Sequence, residues 1–440
     1  MDAQPSLAGR RLHFVGIGGA GMSGLAVVCR ALGAQVTGSD RAASPYFAAL
    51  AAAGIEPLLG HAAANVPDGC ELVVSSAIPE HDPERLEGRR RGLRELHRAR
   101  LLGELTRLRP TIAVTGTHGK TTTAAMVVQI LSGCGLDPAY LIGAPIGPDG
   151  RNGAWGGGPW LVVEADESDR SLLELSPRIA VLTNAELDHH ASYGSRREVD
   201  EVFGAFLALA EQAVVWDRPE LLALRDGRVT AFDAVDPELG PGHSAFLLHG
   251  VRVEVPVPGA HNARNAAAAL EACRLAGVPT ADGARALAGF RGAGRRFERI
   301  GRTAAGAELV DDYAHHPTEV RATIEAARTL RPARVLAAFQ PHLFSRTQHQ
   351  APEFGSALAL ADHVVVLDVY PARERAEDFP GVTGRLVAAA AADAADGRPV
   401  AWMPEREQAR AYLEAELRAG DLCLTMGAGD VDALGRALLA

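Results

Sequence analysis

The chain has 440 residues, 47% of them apolar, with a net charge of 44 − 54 = −10. That length and apolar content predict two to four domains with full cores, and an acidic balance without a basic tail or stripe argues against nucleic acid or anionic membrane as partners. The five cysteines are scattered and never spaced C-x-x-C, no charged-then-apolar leader opens the chain, and no apolar run is long enough to cross a bilayer. These features predict a cytoplasmic protein without a disulfide frame, zinc knuckle or membrane span.

In chain order, Arg11 to Val15 reads as a buried strand that opens into Gly16-Ile-Gly-Gly-Ala-Gly-Met-Ser-Gly24 and a helix, Leu25 to Leu32. A second strand from Gln35 ends at Ser39-Asp40. Gly16, Gly18 and Gly21 satisfy G-x-G-x-x-G, and Asp40 stands where an acid meets a ribose, which taken alone describes an NAD-binding unit. Weaker strands are predicted at Ile55–Leu58 and Glu71–Ser76, followed by one polar helix over Arg85–Arg107. The run Arg89-Arg90-Arg91 among Glu84, Glu87 and Glu95 fits a solvated helix face. Arg109-Pro110 marks a boundary, so residues 1–108 form a Rossmann-like domain for a nucleotide-like diphosphate.

Thr111-Ile-Ala-Val-Thr-Gly-Thr-His-Gly-Lys-Thr-Thr-Thr123 is strand, glycine turn and helix start, the layout that cradles phosphates. The spacing is the short Gly116-x-x-Gly119-Lys120-Thr121, and Lys120 is the only lysine, all 43 other basic residues being arginine. A compact ammonium is therefore required here where a planar guanidinium would not serve. The apolar strands Trp160–Glu164, Arg178–Thr183 and Ala213–Trp216 suit a parallel sheet buried on both faces. Two of them deliver Glu164-Ala-Asp166-Glu167-Ser-Asp169 and Asn184-Ala-Glu-Leu-Asp188-His189-His190. Mg2+ takes few, hard oxygen ligands, so Glu164 and the Thr121 hydroxyl are candidates, with His189 beside them as a ligand or phosphate contact; some of the acids serve as helix caps. Residues 220–258 read as a β insertion. Gly259-Ala-His261-Asn262-Ala-Arg-Asn265 opens an Ala-rich helix. Its asparagines fit equally as caps and as readers of an adenine edge.

Past a hinge at Gly289–Gly294 and Arg295-Arg296-Phe297, strands near Glu308, Val335, His363 and Leu422 end in polar or glycine-rich loops. These loops include Asp311-Asp312-Tyr313-Ala-His315-His316-Pro317 and Gln340-Pro-His342-Leu-Phe-Ser345-Arg346. This is a third parallel α/β layer.

Gly-x-Gly-Gly-x-Gly-Met-Ser, Gly-Thr-His-Gly-Lys-Thr-Thr, Glu-Ala-Asp-Glu-Ser-Asp, Asn-x-x-x-Asp-His, His-Asn-x-x-Asn, Arg-Arg-Phe, Asp-Asp-Tyr-Ala-His-His-Pro and Phe-Gln-Pro-His occur in one order from about residue 11 to 430. Together they resemble the Mur ligase family. The resemblance implies three α/β domains: a Rossmann-like UDP-substrate domain (1–108), a central P-loop ATPase-type parallel-sheet domain (109–297) and a C-terminal Rossmann-like α/β domain (298–440). It implies a monomer or homodimer that uses ATP and Mg2+ to join L-alanine to the lactoyl carboxylate of UDP-N-acetylmuramate, through an acyl phosphate, in peptidoglycan precursor synthesis. Gly116, Thr117, His118, Gly119, Lys120, Thr121 and Thr122 would hold the ATP phosphates; Thr121, Glu164 and His189 would place Mg2+. Asn262 and Asn265 would meet adenine, Asp312 the ribose and Arg296 the phosphates. His315, Arg346, Tyr313 and His342 would line the site of amine attack, with Lys120, His189, His315 and Arg346 as the catalytic set. The first glycine turn (Gly18, Gly19, Gly21, Met22, Ser23) becomes a holder for the UDP diphosphate, with Asp40, His61 and Ser75 near the uridine.

Two departures stand out. A sole lysine excludes the carbamylated lysine that supports a second Mg2+ in several family members, and Leu343 occupies a position that is often arginine. The rival readings are a ligase of the same chemistry that recycles a murein tripeptide, an NAD-dependent oxidoreductase built on Gly16–Gly24, and a nucleotide sensor without turnover.

Overall fold

The structure, a computed structural model, describes residues 6–147, 149–188 and 192–439. These form two compact units: one runs up to Glu186 and includes Arg196–Asp233 and Asn265–Gly289, the other holds Leu187–Ser195, Ala234–Arg264 and the chain from Phe290 on.

The first unit contains two sheets. The smaller is wholly parallel, in the order Leu58–Leu59, Gln35–Asp40, Arg11–Val15, Glu71–Val74, Glu95–His97. The larger has seven strands, with Thr111–Thr115 between Ile179–Leu182 and Leu161–Glu164. All five residues of Thr111–Thr115 are buried, as expected of a central parallel strand covered on both faces. Helix Lys120–Gly133 follows it, and Gly133 lets Ala286 of helix Thr280–Leu287 approach to where a Cβ would stand 2.7 Å away.

Three differences from the sequence reading have local causes. The polar helix expected over residues 85–107 is two helices, Pro83–Arg90 and Arg98–Thr106, separated by Gly92 at φ +66° and by strand Glu95–His97. That strand has one buried side chain, Leu96, too little alternation to be seen in a charged run. The central sheet also carries an unforeseen hairpin, Ala139–Ile146 and Arg151–Ala154. Helix Ala20–Ala31 of the first sheet packs on this hairpin through glycine: a Cβ on Gly153 would lie 2.8 Å from Gly24 Cα. Finally, the expected insertion over residues 220–258 divides: Val229–Phe232 is an edge strand of the central sheet, while residues 238–255 form a three-stranded antiparallel sheet in the second unit.

The six-stranded sheet of the second unit runs Glu298–Arg302, Glu308–Asp312, Leu422–Met426, Val335–Phe339, His363–Val366, Val400–Trp402, parallel except for its first strand. Its core packs Phe339 against Phe354, the rings tilted with centroids 5.0 Å apart. Among the described residues no helix is long and apolar enough to cross a membrane.

Candidate active site

The loop after Thr111–Thr115 is held open by its glycines. Gly116 (φ +133°) and Gly119 (φ +81°) adopt backbone conformations that favour glycine, and a Cβ on Gly119 would stand 2.5 Å from Asn265 Oδ1. The crest is fastened to the neighbouring strand end: Asn184 Oδ1 accepts from His118 N at 2.9 Å, and Thr183 Oγ1 and Asn184 Nδ2 donate to His118 O at 2.6 and 2.9 Å. Thr117 Oγ1 donates to Glu186 O and accepts from Glu186 N. The loop's backbone is thus fixed in position, with Thr117 N and His118 N donating to Asn184.

Lys120 Nζ donates to Gly116 O (2.7 Å) and Thr117 O (3.1 Å) and pairs with Glu167 at 2.9 Å. Burial disfavours this ammonium, but Glu167, Asp166 and Glu164 outweigh it and raise its pKa. Glu164, at the end of its strand, accepts from Thr121 Oγ1 (2.9 Å) and from Gly143 N (2.8 Å). The sequence reading did not single out Glu167 as the lysine's partner; its one legible sign was its place in the acid-rich strand-end loop.

In the first sheet, Gly16 has φ +78° and Asp40 Oδ2 accepts from Gly18 N at 2.8 Å. Asp40 is therefore attached to the glycine turn itself. Met22 and Ser23 are buried, and Asn152 of the hairpin donates to Ser23 Oγ at 3.0 Å. His61 Nδ1 lies 2.8 Å from Ser39 Oγ, which donates to the buried Glu84 at 2.6 Å. A cavity of about 290 Å³ joins the two motifs of this unit, with Gly19, Gly21, Met22 and Ser75 on one side and Gly143, Glu164 and Asp166 on the other.

The second unit gathers His315, Tyr313, His342 and Arg346. Tyr313 and His315 rings are 5.2 Å apart, His315 and His342 6.0 Å, and His342 stacks on Tyr370 at 5.9 Å. Burial holds His315 down to about 3 and, with His315, Arg346 and Arg373 nearby, His342 down to about 2, so both imidazoles are neutral near pH 7. Arg346 makes a buried bidentate pair with Asp188 (2.9 and 2.9 Å), and its NH1 lies 3.2 Å from His342 Nδ1. Asp188 was visible in sequence only as the neighbour of His189, and its pairing with Arg346 was missed because 158 residues separate the two.

Asp312 accepts from Phe297 N (2.7 Å) and Ala314 N (2.8 Å), and burial raises its pKa to about 6. Arg295 and Arg296 lie over the Tyr313 ring, at 5.2 and 5.0 Å. Asn262 and Asn265 lie inside helix Ala260–Leu275 rather than capping it, and Asn262 Nδ2 donates back to Pro258 O at 2.8 Å. Leu343 is buried, with φ +70°. His189 lies outside the described residues.

Residues 11–109 match the Mur ligase family, catalytic domain, and residues 295–429 match the Mur ligase, glutamate ligase domain. The UDP-N-acetylmuramate–L-alanine ligase of Mycolicibacterium smegmatis is 44% identical, over 98% of this chain and 95% of that protein. Among solved structures, the UDP-N-acetylmuramate–alanine ligase of Thermotoga maritima is similar at TM-score 0.84 and 26% identity, covering 97% of this chain and 98% of its own. A murein peptide ligase from Psychrobacter arcticus shares the fold at TM-score 0.73 and 24% identity, covering 98% of each chain. The order of the glycine turns, acid loops and histidine cluster agrees with these likenesses, and the chain belongs to the Mur ligase family.

Proposed function

We propose that the protein catalyses ATP-dependent joining of L-alanine to the lactoyl carboxylate of UDP-N-acetylmuramate, a cytoplasmic step of peptidoglycan precursor synthesis. The observation that carries this reading is the cavity in which the first glycine turn and Glu164 of the phosphate-loop sheet face the same space. A nucleotide-sugar acid held at one end has its carboxylate directed to the other.

The residues near Lys120 fit ATP and Mg2+. Thr121 Oγ1 and Glu164 Oε2, 2.9 Å apart, are hard oxygen donors of the kind Mg2+ selects. Thr121 and Glu164 would hold the ion, which would supply positive charge to offset that of the phosphates. Gly116, Thr117, His118, Gly119 and Thr122 supply the cradle, and the Lys120 ammonium sits where negative charge develops on the transferring phosphoryl group. A substrate carboxylate oxygen attacks the γ-phosphorus and ADP leaves; the alanine amine then attacks the acyl phosphate and phosphate leaves. Asn262 and Asn265 are assigned to adenine, Asp312 to the ribose and Arg296 to phosphate. His315, Tyr313, His342 and Arg346 are assigned to L-alanine, and His189 to Mg2+. Gly18, Gly19, Gly21, Met22 and Ser23 hold the UDP diphosphate, with Asp40, His61 and Ser75 toward the uridine. The corresponding domains are 1–108, 109–297 and 298–440, supported by strands that begin at Thr111 and Glu298 beside the two boundaries.

ADP release with UDP-N-acetylmuramate, comparing L-alanine, L-serine, glycine and the murein tripeptide, tests this reading. Turnover with L-alanine is expected; turnover with the tripeptide alone would overturn it.

A further inference from the structure

Among the described residues, Arg98 is the one cation on the wall of the 290 Å³ cavity. It starts helix Arg98–Thr106 directly after strand Glu95–His97, so it belongs to the first sheet, yet its contacts are with the acid loop of the central sheet. NH2 alone is shared between Asp166 Oδ2 (3.2 Å) and Asp169 Oδ2 (3.4 Å). Among the described residues, its Nε and NH1 make no hydrogen bond. Two arginines beside the same sheet show the fuller arrangement: Arg10 grips Glu71 with two nitrogens at 2.7 and 2.9 Å, and Arg85 grips Glu95 at 3.0 and 2.6 Å. Arg98 has instead one long, divided contact and a fork open toward the cavity. NH1 is 3.2 Å from where a Cβ on Gly21 would stand, so the guanidinium lies against the glycine turn while reaching within two residues of Glu164.

A guanidinium prefers a bidentate carboxylate to a monodentate one. We infer that Arg98 is a substrate-positioning residue that leaves Asp169 and forks onto the carboxylate of the nucleotide-sugar acid when that substrate enters the cavity. This rests on the reaction proposed above. With both carboxylate oxygens in the fork, each keeps a lone pair that the guanidinium does not engage, and one such pair forms the O–P bond; the bond from the γ-phosphorus to the ADP oxygen breaks, and ADP keeps the electrons of the broken bond. The guanidinium also reduces repulsion between carboxylate and triphosphate, both anionic.

The full chain is assayed by ADP release with UDP-N-acetylmuramate, ATP and L-alanine, and UDP binding is measured by calorimetry. Losing a hydrogen bond to a charged group predicts that Arg98→Gln raises the KM for the nucleotide sugar roughly 10- to 100-fold. The KM for ATP and the Kd for UDP, which lacks the acid, stay within about threefold, and Arg98→Lys recovers part of the loss. Asp169→Asn removes the competing charge and lowers the sugar KM by about 2- to 5-fold, a gain that a structural role would not give. A UDP Kd that rises as much as the sugar KM places Arg98 on the diphosphate and overturns the inference, as does a higher sugar KM in Asp169→Asn. Absence of L-alanine-dependent ADP release in the unsubstituted protein overturns the proposed reaction instead.

Discussion

The first unit contains two turns built to one plan, parallel strand, glycines, helix, and supported by opposite chemistry. The turn at Gly16–Gly24 is held by carboxylates: Asp40 accepts from Gly18 N, and below it the buried Glu84 accepts from Ser39 Oγ (2.6 Å), Asn65 Nδ2 (2.7 Å) and Ala62 N (3.2 Å), with His13 Nε2 at 3.2 Å. The turn at Gly116–Lys120 is held by a neutral amide and hydroxyls, from Asn184, Thr183 and Thr117, and contains its own cation. A carboxylate beside a turn competes with an incoming phosphate for the same amides, whereas an ammonium inside a turn attracts it. On the proposed reading, the first turn holds a diphosphate that is bound and released intact, and the second stabilises charge that changes during reaction.

The largest expected effect follows from that contrast. Lys120→Arg keeps the charge but replaces a compact donor with a planar fork in a space bounded by Gly116 O, Thr117 O and Glu167. The rate of ADP release is expected to fall at least ~10²-fold with the thermal midpoint little changed, because the charge on the transferring phosphoryl group is misaligned. Near-unchanged turnover would mean that the two turns differ in sequence without differing in role.

The next effect is on stability against pH. Burial opposes ionisation of Glu84, but hydrogen bonds from His13, Ser39 and Asn65 dominate and carry its pKa from 4.5 down to about 2. A depressed folded-state pKa contributes stability that is fully present above about 4.5 and is lost as pH falls toward 2. The contribution is on the order of 3 kcal/mol. Glu84→Gln is expected to destabilise at pH 7 and to flatten the acid limb of a denaturant-midpoint profile over that window. An acid limb of unchanged slope would remove the carboxylate from the support of the first turn.

Both turns were legible because their information is local: glycine spacing, a flanking strand and, for the second, a sole lysine. What supports them was not. Asn152 reaches Ser23 across 129 residues, Glu84 reaches His13 across 71, and Lys120 reaches Glu167 across 47. Such partners carry no spacing rule, and Glu84 looked like one acid among many in a charged helix. The histidine cluster lies between these extremes. His315 and His342 were each marked by a strand-end motif, but the Asp188–Arg346 pair that organises them is a tertiary fact. The parallel character of the sheets could be read from their apolar runs, whereas strand Glu95–His97 and the hairpin strands Ala139–Ile146 and Arg151–Ala154 could not. Glu95–His97 buries only Leu96, and Ala139–Ile146 buries Ala139, Leu141, Ile142 and Ala144 without a regular alternation.

The smallest effects distinguish the two turns by backbone rather than charge. Gly119 sits at φ +81° with Asn265 Oδ1 2.5 Å from any added Cβ, so Gly119→Ala meets both torsional strain and a collision. It is expected to cost about 1–3 kcal/mol and to raise the KM for ATP roughly 10-fold, since the cradle amides move with the backbone. Gly18 differs in torsion: its φ is not in the left-handed region, and an added Cβ meets side-chain atoms as it does at Gly119, here Asp40 Oδ2, Phe47 and Ser44, each at 2.9 Å. Without torsional strain and with side chains that can rotate away, Gly18→Ala is expected to cost about 1 kcal/mol or less in thermal stability. The KM for the nucleotide sugar should rise a few-fold as Asp40 is pushed off Gly18 N. A loss in Gly18→Ala as large as in Gly119→Ala would mean that the first turn, too, depends on its backbone geometry, and that Asp40 is fixed against it rather than displaceable.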